Sequence, residues 1–263
     1  STLPQEIIDI FQYRFHENDE MLANHALGNL IIAAMAEKEH DIFAGVQLLT
    51  KFMGIQGHVY PVANEPLILH AKFKDGTELS GEAEITAAHK QIDHIWVTPQ
   101  PDSVNEVAQA PSEVINAILN ADVIVLGPGS LFTSILPNLV VPNVAEALKA
   151  TRAKVVYIAN IMTQKGETDD FSDADHLRAL NKHVGDNVVD AVIMNTGIVP
   201  DDYIDWKKWN EVSHQVAFDP EEVRHEGAIP VLGDLLELRD DGAFHDGDIV
   251  AQLIMQIADA KEL

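Results

Sequence analysis

The stretch ADVIVLGPGSLFTSILPNLVVPN, residues 121–143, decides the fold. Its apolar run Val123-Ile124-Val125-Leu126 offers no polar face, as expected of a strand covered on both sides. The run stops at Gly127-Pro128-Gly129-Ser130 and restarts with Leu131, Thr133 and Ser134 in a helix-like segment. Strand followed directly by helix is the repeating unit of α/β proteins.

Downstream the unit repeats. Strands are expected at 122–126, 154–160 (KVVYIAN) and 188–195 (VVDAVIMN), followed by QVAFD and AIPVLGDLLEL. PNVAEALKA begins with Asn143 and Glu146 at capping-box spacing. SDADHLRALNKHV is a helix with Ser172 as its cap. A last helix carries Ile249, Leu253, Ile254 and Ile257 on one stripe. A mostly parallel sheet with helices on both faces follows from these alternations. Upstream, helices are expected at 5–15 (Ile7, Ile8, Phe11 and Phe15 on one face), 24–40, about 41–53 with Asp41 as cap, and 112–120 with Ser112 as cap. Between them lies a small β-rich insertion, about 57–98. It comprises a strand-like HVYPVA, a hairpin LILHAKFKDGTELSGEAEI turning at Asp75-Gly76, and the strand QIDHIWVTP.

Composition narrows the function. The 263 residues are 46% hydrophobic, enough for a substantial core, and carry a formal charge of −25. Such a surface repels nucleic acid and anionic lipid, so neither is an expected partner. There is no cysteine, which excludes disulfides and thiolate chemistry and fits a reducing, cytoplasmic setting. No apolar run approaches the length of a membrane span.

In open parallel sheets, ligands bind beyond the carboxyl ends of the strands. Three expected strand ends turn from apolar to small and polar: Gly127-Pro128-Gly129-Ser130; Asn160, Met162, Thr163 and Gln164; and Asn195, Thr196 and Gly197. Together they predict one crevice lined by amides, hydroxyls and backbone. Gly127 and Gly129 allow close approach. Ser130, Leu131, Thr133 and Ser134 sit in the first helical turn, where backbone N–H groups are unpaired and the dipole favours an anion. The plain alternative is a tight turn capped by Ser130. Neither the Gly-Lys-Ser/Thr phosphate loop nor G-x-G-x-x-G occurs here, which weakens a nicotinamide-dependent reading.

Two further groups stand out. Glu167, Asp169, Asp170, Asp173 and Asp175 lie close together beside His176. Such oxygens suit Mg²⁺, with Asp173 and Asp175 as the named candidates, although acidic residues also favour a first helical turn. In HALGN, helical spacing places His25, Gly28 and Asn29 on one face. A mid-helix glycine costs about 1 kcal/mol relative to Ala, so close packing or a ligand must compensate. The histidines lack zinc spacing, and no G-x-S-x-G elbow is present. Trp96, Trp206 and Trp209 read as packing or interface residues, and Phe11 and Phe15 could likewise serve a homo-oligomer.

FQYRF, HALGNLIIAA, VIVLGPGSLFTSILPNLVVP, ANIMTQKGETDDFSDADHLRAL and VIMNTG together resemble the YvcK family of gluconeogenesis factors, within the CofD-like group. The resemblance covers nearly the whole chain. It implies a single Rossmann-like nucleotide-binding domain over 1–263. It also implies a cytoplasmic binder of UDP-sugars such as UDP-N-acetylglucosamine, required for cell shape on gluconeogenic carbon, with no firm catalytic activity. The CofD branch implies an alternative: transfer of a phospholactyl group from a guanosine diphosphate donor to a deazaflavin acceptor, with Mg²⁺. Carried over, the diphosphate would meet Gly127, Gly129, Ser130 and Thr133, with His25, Asn29, Asn160 and Thr163 nearby. The family's initial strand, Gly-Gly-x-Gly loop and Asp-Asp-Gly-Gly stretch are not in these residues and would precede Ser1.

Overall fold

The computed structural model describes residues 4–15, 22, 25–204 and 213–260. They fall into two units, 1–66 with 110–114, and 67–109 with 115–263.

In the first unit, helices α1 (Gln5–Gln12), α2 (Leu27–Glu39) and α3 (Ile42–Phe52) pack together. Asp41 caps α3 by accepting from the Ala44 N–H at 3.1 Å. Glycines let the helices touch. A Cβ on Gly45 would lie 2.7 Å from the Ala36 nitrogen, and one on Gly28 would lie 3.0 Å from the Phe11 carbonyl. Packing against α1 therefore accounts for the glycine in HALGN. Two expectations need correction. First, α1 ends at Gln12, leaving Phe15 outside it, and Phe15 packs edge-on to Tyr13. Second, α2 starts only at Leu27, whose N–H is taken by the Tyr13 carbonyl. His25 thus precedes the helix and does not share a helical face with Gly28 and Asn29.

The second unit holds two main sheets. In the first, β1 (Leu67–Phe73), β2 (Glu78–Ser80) and β3 (Ile92–Pro99) are antiparallel in the order β2-β1-β3. Asp75 makes the expected turn, accepting from the Thr77 N–H and hydroxyl at 2.9 and 2.6 Å. The end of the expected hairpin, GEAEI, instead opens α4 (Glu82–Ala88): Gly81 has φ +99, and Ile85 of the helix is buried. HVYPVA forms no strand; Pro61 lacks a ladder donor and Val59 is half exposed.

The parallel sheet comprises β4 (Val123–Leu126), β5 (Lys154–Ile158), β6 (Ala191–Asn195) and β7 (Ile229–Gly233), in that order. Helix α5 (Ser112–Leu119) precedes it, with Ser112 as first helical residue and its hydroxyl on Glu113 rather than acting as a cap. After β4 comes a π-helical turn, Leu131–Ile135, then α6 (Leu136–Leu139) and α7 (Pro142–Ala150). The box expected at Asn143 does not form: Val141 is the cap residue, and Glu146 pairs with Lys149. Helix α8 (Asp173–Val184) does carry a full capping box between Ser172 and Asp175. A short α9 (Pro220–His225) precedes β7. AIPVLGDLLEL breaks at Asp234-Leu235 into β7 and β8 (Leu236–Arg239). β8 pairs with β9 (Gly242–His245) across Asp240 and Asp241, both at positive φ. Finally, α10 (Gly247–Asp259) lays Val250 and Ile257 onto Val156, Ile158, Ala191 and Ile193, with Ile249, Leu253 and Ile254 alongside. Val155 and Tyr157, alternating with these along β5, are buried too. Both faces of the central strands β5 and β6 are therefore covered, as their apolar runs predict, whereas the outer strands leave Val125 of β4 and Ile229 and Leu232 of β7 exposed, a correction to the expectation for 123–126.

Among the described residues, no single helix is long and apolar enough to cross a membrane.

Candidate functional site

The parallel register aligns the carboxyl ends of β4, β5 and β6, with Leu126 opposite Tyr157 and Ile158 opposite Ile193. At the end of β4 the chain turns sharply. Gly127 has φ +93, and the Gly127–Pro128 bond is cis. A Cβ on Gly127 would lie 3.3 Å from the Ile158 carbonyl and 3.2 Å from Ile135, so glycine is required on two counts. The following turn is π-helical, not α-helical: the Ser130 carbonyl accepts from Ser134 and Ile135 at 3.0 and 2.9 Å. Its opening residues, Leu131, Phe132 and Thr133, leave N–H groups without intrahelical partners. Ser130, Thr133 and Ser134 have no side-chain hydrogen bond to a described residue, and all three are at least partly accessible. Leu131 and Phe132 are fully buried, so the accessible polar groups of the turn are those of Ser130, Thr133 and Ser134.

The end of β5 mixes engaged and unpartnered groups. The buried Asn160 Oδ1 has no partner among the described residues, nor does Gln164 Oε1. Thr163 is committed to structure: its N–H donates to the His214 carbonyl at 2.7 Å, and its hydroxyl accepts from the His214 N–H at 3.0 Å. Tyr157 OH, His176 Nε2 and Asn181 Oδ1 are also buried without partners among the described residues. Native interiors hold few such atoms, and they concentrate where water or ligands bind.

The end of β6 is different. Asn195 Oδ1 accepts from the Gly197 and Leu235 N–H groups, both at 3.0 Å, while its Nδ2 donates to the Gly197 carbonyl at 2.9 Å. The amide thus ties the exits of β6 and β7 together. Gly197 is small because a side chain there would strike Asp234 and Leu236. Thr196 is exposed, and its N–H donates to Gly233. Gln215 extends the bracket, donating to the Gly197 carbonyl at 2.7 Å and accepting from the Val199 N–H at 2.9 Å. Beside it opens a pocket of about 330 Å³ lined by Met162, Ile198, Pro200, Ser213, His214 and Gln215 among others.

His25 and Asn29 are exposed residues of the first unit. Trp206 and Trp209 lie outside the described residues. Phe11 and Phe15 are half-buried within their own unit.

The acidic cluster is put to structural use. Asp175 Oδ2 accepts from the Ser172 N–H and hydroxyl at 3.0 Å, and Oδ1 accepts from Arg178 at 2.5 Å. Asp169 Oδ2 accepts from the Gly166 N–H at 2.8 Å. Asp173 is buried, and burial pushes its pKa up to about 7, with Asp219 adding repulsion and a hydrogen bond from the Asp219 N–H opposing. Among the described residues no three His, Asp or Glu side chains group as a metal site. Among the described residues Asp173 and Asp175 find no third carboxylate or imidazole to complete an Mg²⁺ site, and both Asp175 oxygens are already engaged by Ser172 and Arg178.

Two groups lacked any sequence signal. His245, on β9, donates from Nε2 to the Ala159 carbonyl at 3.0 Å, at the very end of β5; burial lowers its pKa. Gln215 was equally silent. His245 reaches the end of β5, and Gln215 the exit of β6, through tertiary pairing, not local spacing.

A family model described as 2-phospho-L-lactate transferase CofD matches residues 2–236. The chain belongs to the CofD family. Within this CofD family its relatives carry more specific names. A "Putative gluconeogenesis factor" of Lactococcus lactis is 47% identical over 262 residues, covering 100% of this chain and 80% of the relative. A "Gluconeogenesis factor" of Bacillus subtilis is 39% identical over 95% of this chain and 76% of its own. A crystal structure of a Bacillus halodurans protein described as a member of the UPF0052 family superposes with a TM-score of 0.88 at 36% identity, covering 97% of this chain and 80% of that one. The CofD-family assignment and the α/β fold agree with the resemblance drawn from the five motifs.

Proposed function

We propose that this chain is a cytoplasmic nucleotide-sugar sensor. It takes a UDP-sugar of the UDP-N-acetylglucosamine type and couples carbon status to cell shape under gluconeogenic growth. One observation carries the reading: the Gly127–Ser134 turn presents the hydroxyls of Ser130, Thr133 and Ser134, which no described residue uses, at the carboxyl edge of a parallel sheet. A diphosphate supplies the matching acceptors. The 330 Å³ pocket by Met162 and Ile198 has the size and mixed lining to take a base or sugar. The relatives' gluconeogenesis names and the strongly acidic surface favour a small-molecule regulator over a nucleic-acid or membrane protein. A homo-oligomer is part of the proposal.

The test is calorimetric titration of the full-length protein with UDP-N-acetylglucosamine, and with GDP plus Mg²⁺ for comparison. Micromolar binding of the UDP-sugar, weakened about tenfold (roughly 1.4 kcal/mol) by Ser130→Ala, is expected. No binding at millimolar concentration would sink the proposal. The family description as a transferase motivates a second reading, phospholactyl transfer. Metal-dependent preference for GDP would move the assignment there.

A further inference from the structure

Strand β3 is an outer strand of its sheet, so its outward N–H and C=O groups need partners. The last turn of α8 supplies them. His183 Nε2 accepts from the Ile95 N–H at 3.1 Å. Lys182 donates to the Asp93 carbonyl at 3.1 Å and to its carboxylate at 2.8 Å. His183 Nδ1 lies 2.6 Å from the Ala179 carbonyl, which can only accept. Nδ1 therefore carries the hydrogen and Nε2 is bare. A doubly protonated ring would point a second N–H at the Ile95 N–H.

The same ring touches two other elements. His94 of β3 stacks on it with centroids 4.9 Å apart and planes 10° apart. Phe132, one residue before Thr133 and 1% exposed, meets it edge-on at 5.8 Å and 73°. One imidazole thus bridges β3, α8 and the turn assigned above to the diphosphate.

We propose that neutral His183 is a positioning residue that clasps the antiparallel sheet to the anion-binding turn, so that protonating it releases Ile95, disturbs Phe132 and weakens nucleotide binding. The binding half of this statement rests on the reading of the turn given under the proposed function.

The surroundings oppose an imidazolium. Burial is the largest effect and pushes the His183 pKa down to about 4, with His94 and Lys182 adding repulsion and Asp93 and the Ala179 carbonyl opposing. Asp93 is already paired with Lys182. Lys72 of β1 stands opposite His94, with Glu78 of β2 beside it. The π-turn and α6 carry no ionisable side chain. The charges of α9, Glu221, Glu222, Arg224 and His225, belong to the Arg178 end of α8.

The test follows the Ile95 amide, the His183 ring and the Phe132 ring by NMR in ligand-free full-length protein as pH falls from 7.5. UDP affinity is measured in parallel. The three signals are expected to move together with one midpoint near 4, and UDP binding to fall at least tenfold across it. His183→Gln, whose Oε1 can stand where Nε2 does and accept from Ile95 without titrating, should bind UDP within about threefold of wild type at neutral pH and lose the acid step; this also corrects for protonation of UDP itself. His94→Asp should raise the midpoint by a pH unit or more. A hydrogen on Nε2 at neutral pH, or an Ile95 step that leaves Phe132 unmoved, would overturn the clasp. If UDP binds at no pH, the function proposed above fails, while the ligand-free signals still decide the clasp.

Discussion

The exits of β4 and β6 look alike in sequence, each a short run of small polar residues after an apolar strand, yet they do opposite things. After β6, the Asn195 amide is engaged at both its oxygen and its nitrogen by the backbone of Gly197 and Leu235. After β4, the hydroxyls of Ser130, Thr133 and Ser134 bond to no described residue. The first is a joint, and the second is the surface proposed above for the diphosphate. Residue type alone does not separate these roles; what separates them is whether a second chain segment arrives to use the polar atoms. Leu235 comes from the exit of β7 and does so at Asn195.

Mutations sharpen this contrast. Asn195→Ala should have the largest effect, a loss of about 3–5 kcal/mol in denaturant unfolding, because it leaves several backbone groups unpaired, including the N–H of the fully buried Leu235. A loss under 1 kcal/mol would mean Asn195 is not a joint. Gly127→Ala should cost about 2–3 kcal/mol, from its positive φ and the crowding at Ile158. Asp173→Asn should act in the other direction. The native pKa is raised, so the native state holds a proton that the unfolded chain releases. The aspartate's contribution is therefore full at low pH and is lost as pH rises from about 4 to about 7. At pH 8 the asparagine variant should be more stable by about 2 kcal/mol, with the gain vanishing near pH 4. A thermal melt series over pH checks this, and destabilisation at pH 8 would revive a metal-ligand role. Ser130→Ala should be least visible in folding, under about 0.5 kcal/mol, while weakening the nucleotide about tenfold. Equal effects on folding and binding would erase the distinction between the two exits.

His183 supplies a pH effect of opposite sign to Asp173. Its native pKa is depressed, so the unfolded state binds protons first. Its contribution to stability is full above about pH 6.5 and is lost as pH falls towards 4.

The strands of the parallel sheet and the Ser172 cap were legible because their signals are local. Val123–Leu126 is apolar without a break, and Ser172 and Asp175 sit three residues apart. The same logic failed at Asn143, where Glu146 turns to Lys149 instead. It failed at residues 82–88, where Gly81 redirects the chain into a helix. His25 was misplaced because the start of α2 is set by the Tyr13 carbonyl, a contact no short window contains. At the site, the Gly127 turn was readable from its glycines. The Asn195 joint, the His245 contact and the His183 bridge depend on partners 40, 86 and 88 residues away.

Lys154, which opens β5, donates to the carbonyls of Ile257, Ala258 and Ala260 at the end of α10, and Val156 and Ile158 pack against the same helix. The first of these links spans 103 residues. On the ribosome, at about 5–20 residues per second, roughly 5–20 s pass between the emergence of β5 and that of its cover. During that interval the nascent sheet shows an apolar face to solvent. Chains halted before residue 247 should therefore pellet or bind an apolar dye where the complete chain does neither, and chaperones that bind exposed apolar segments should engage this protein late in translation.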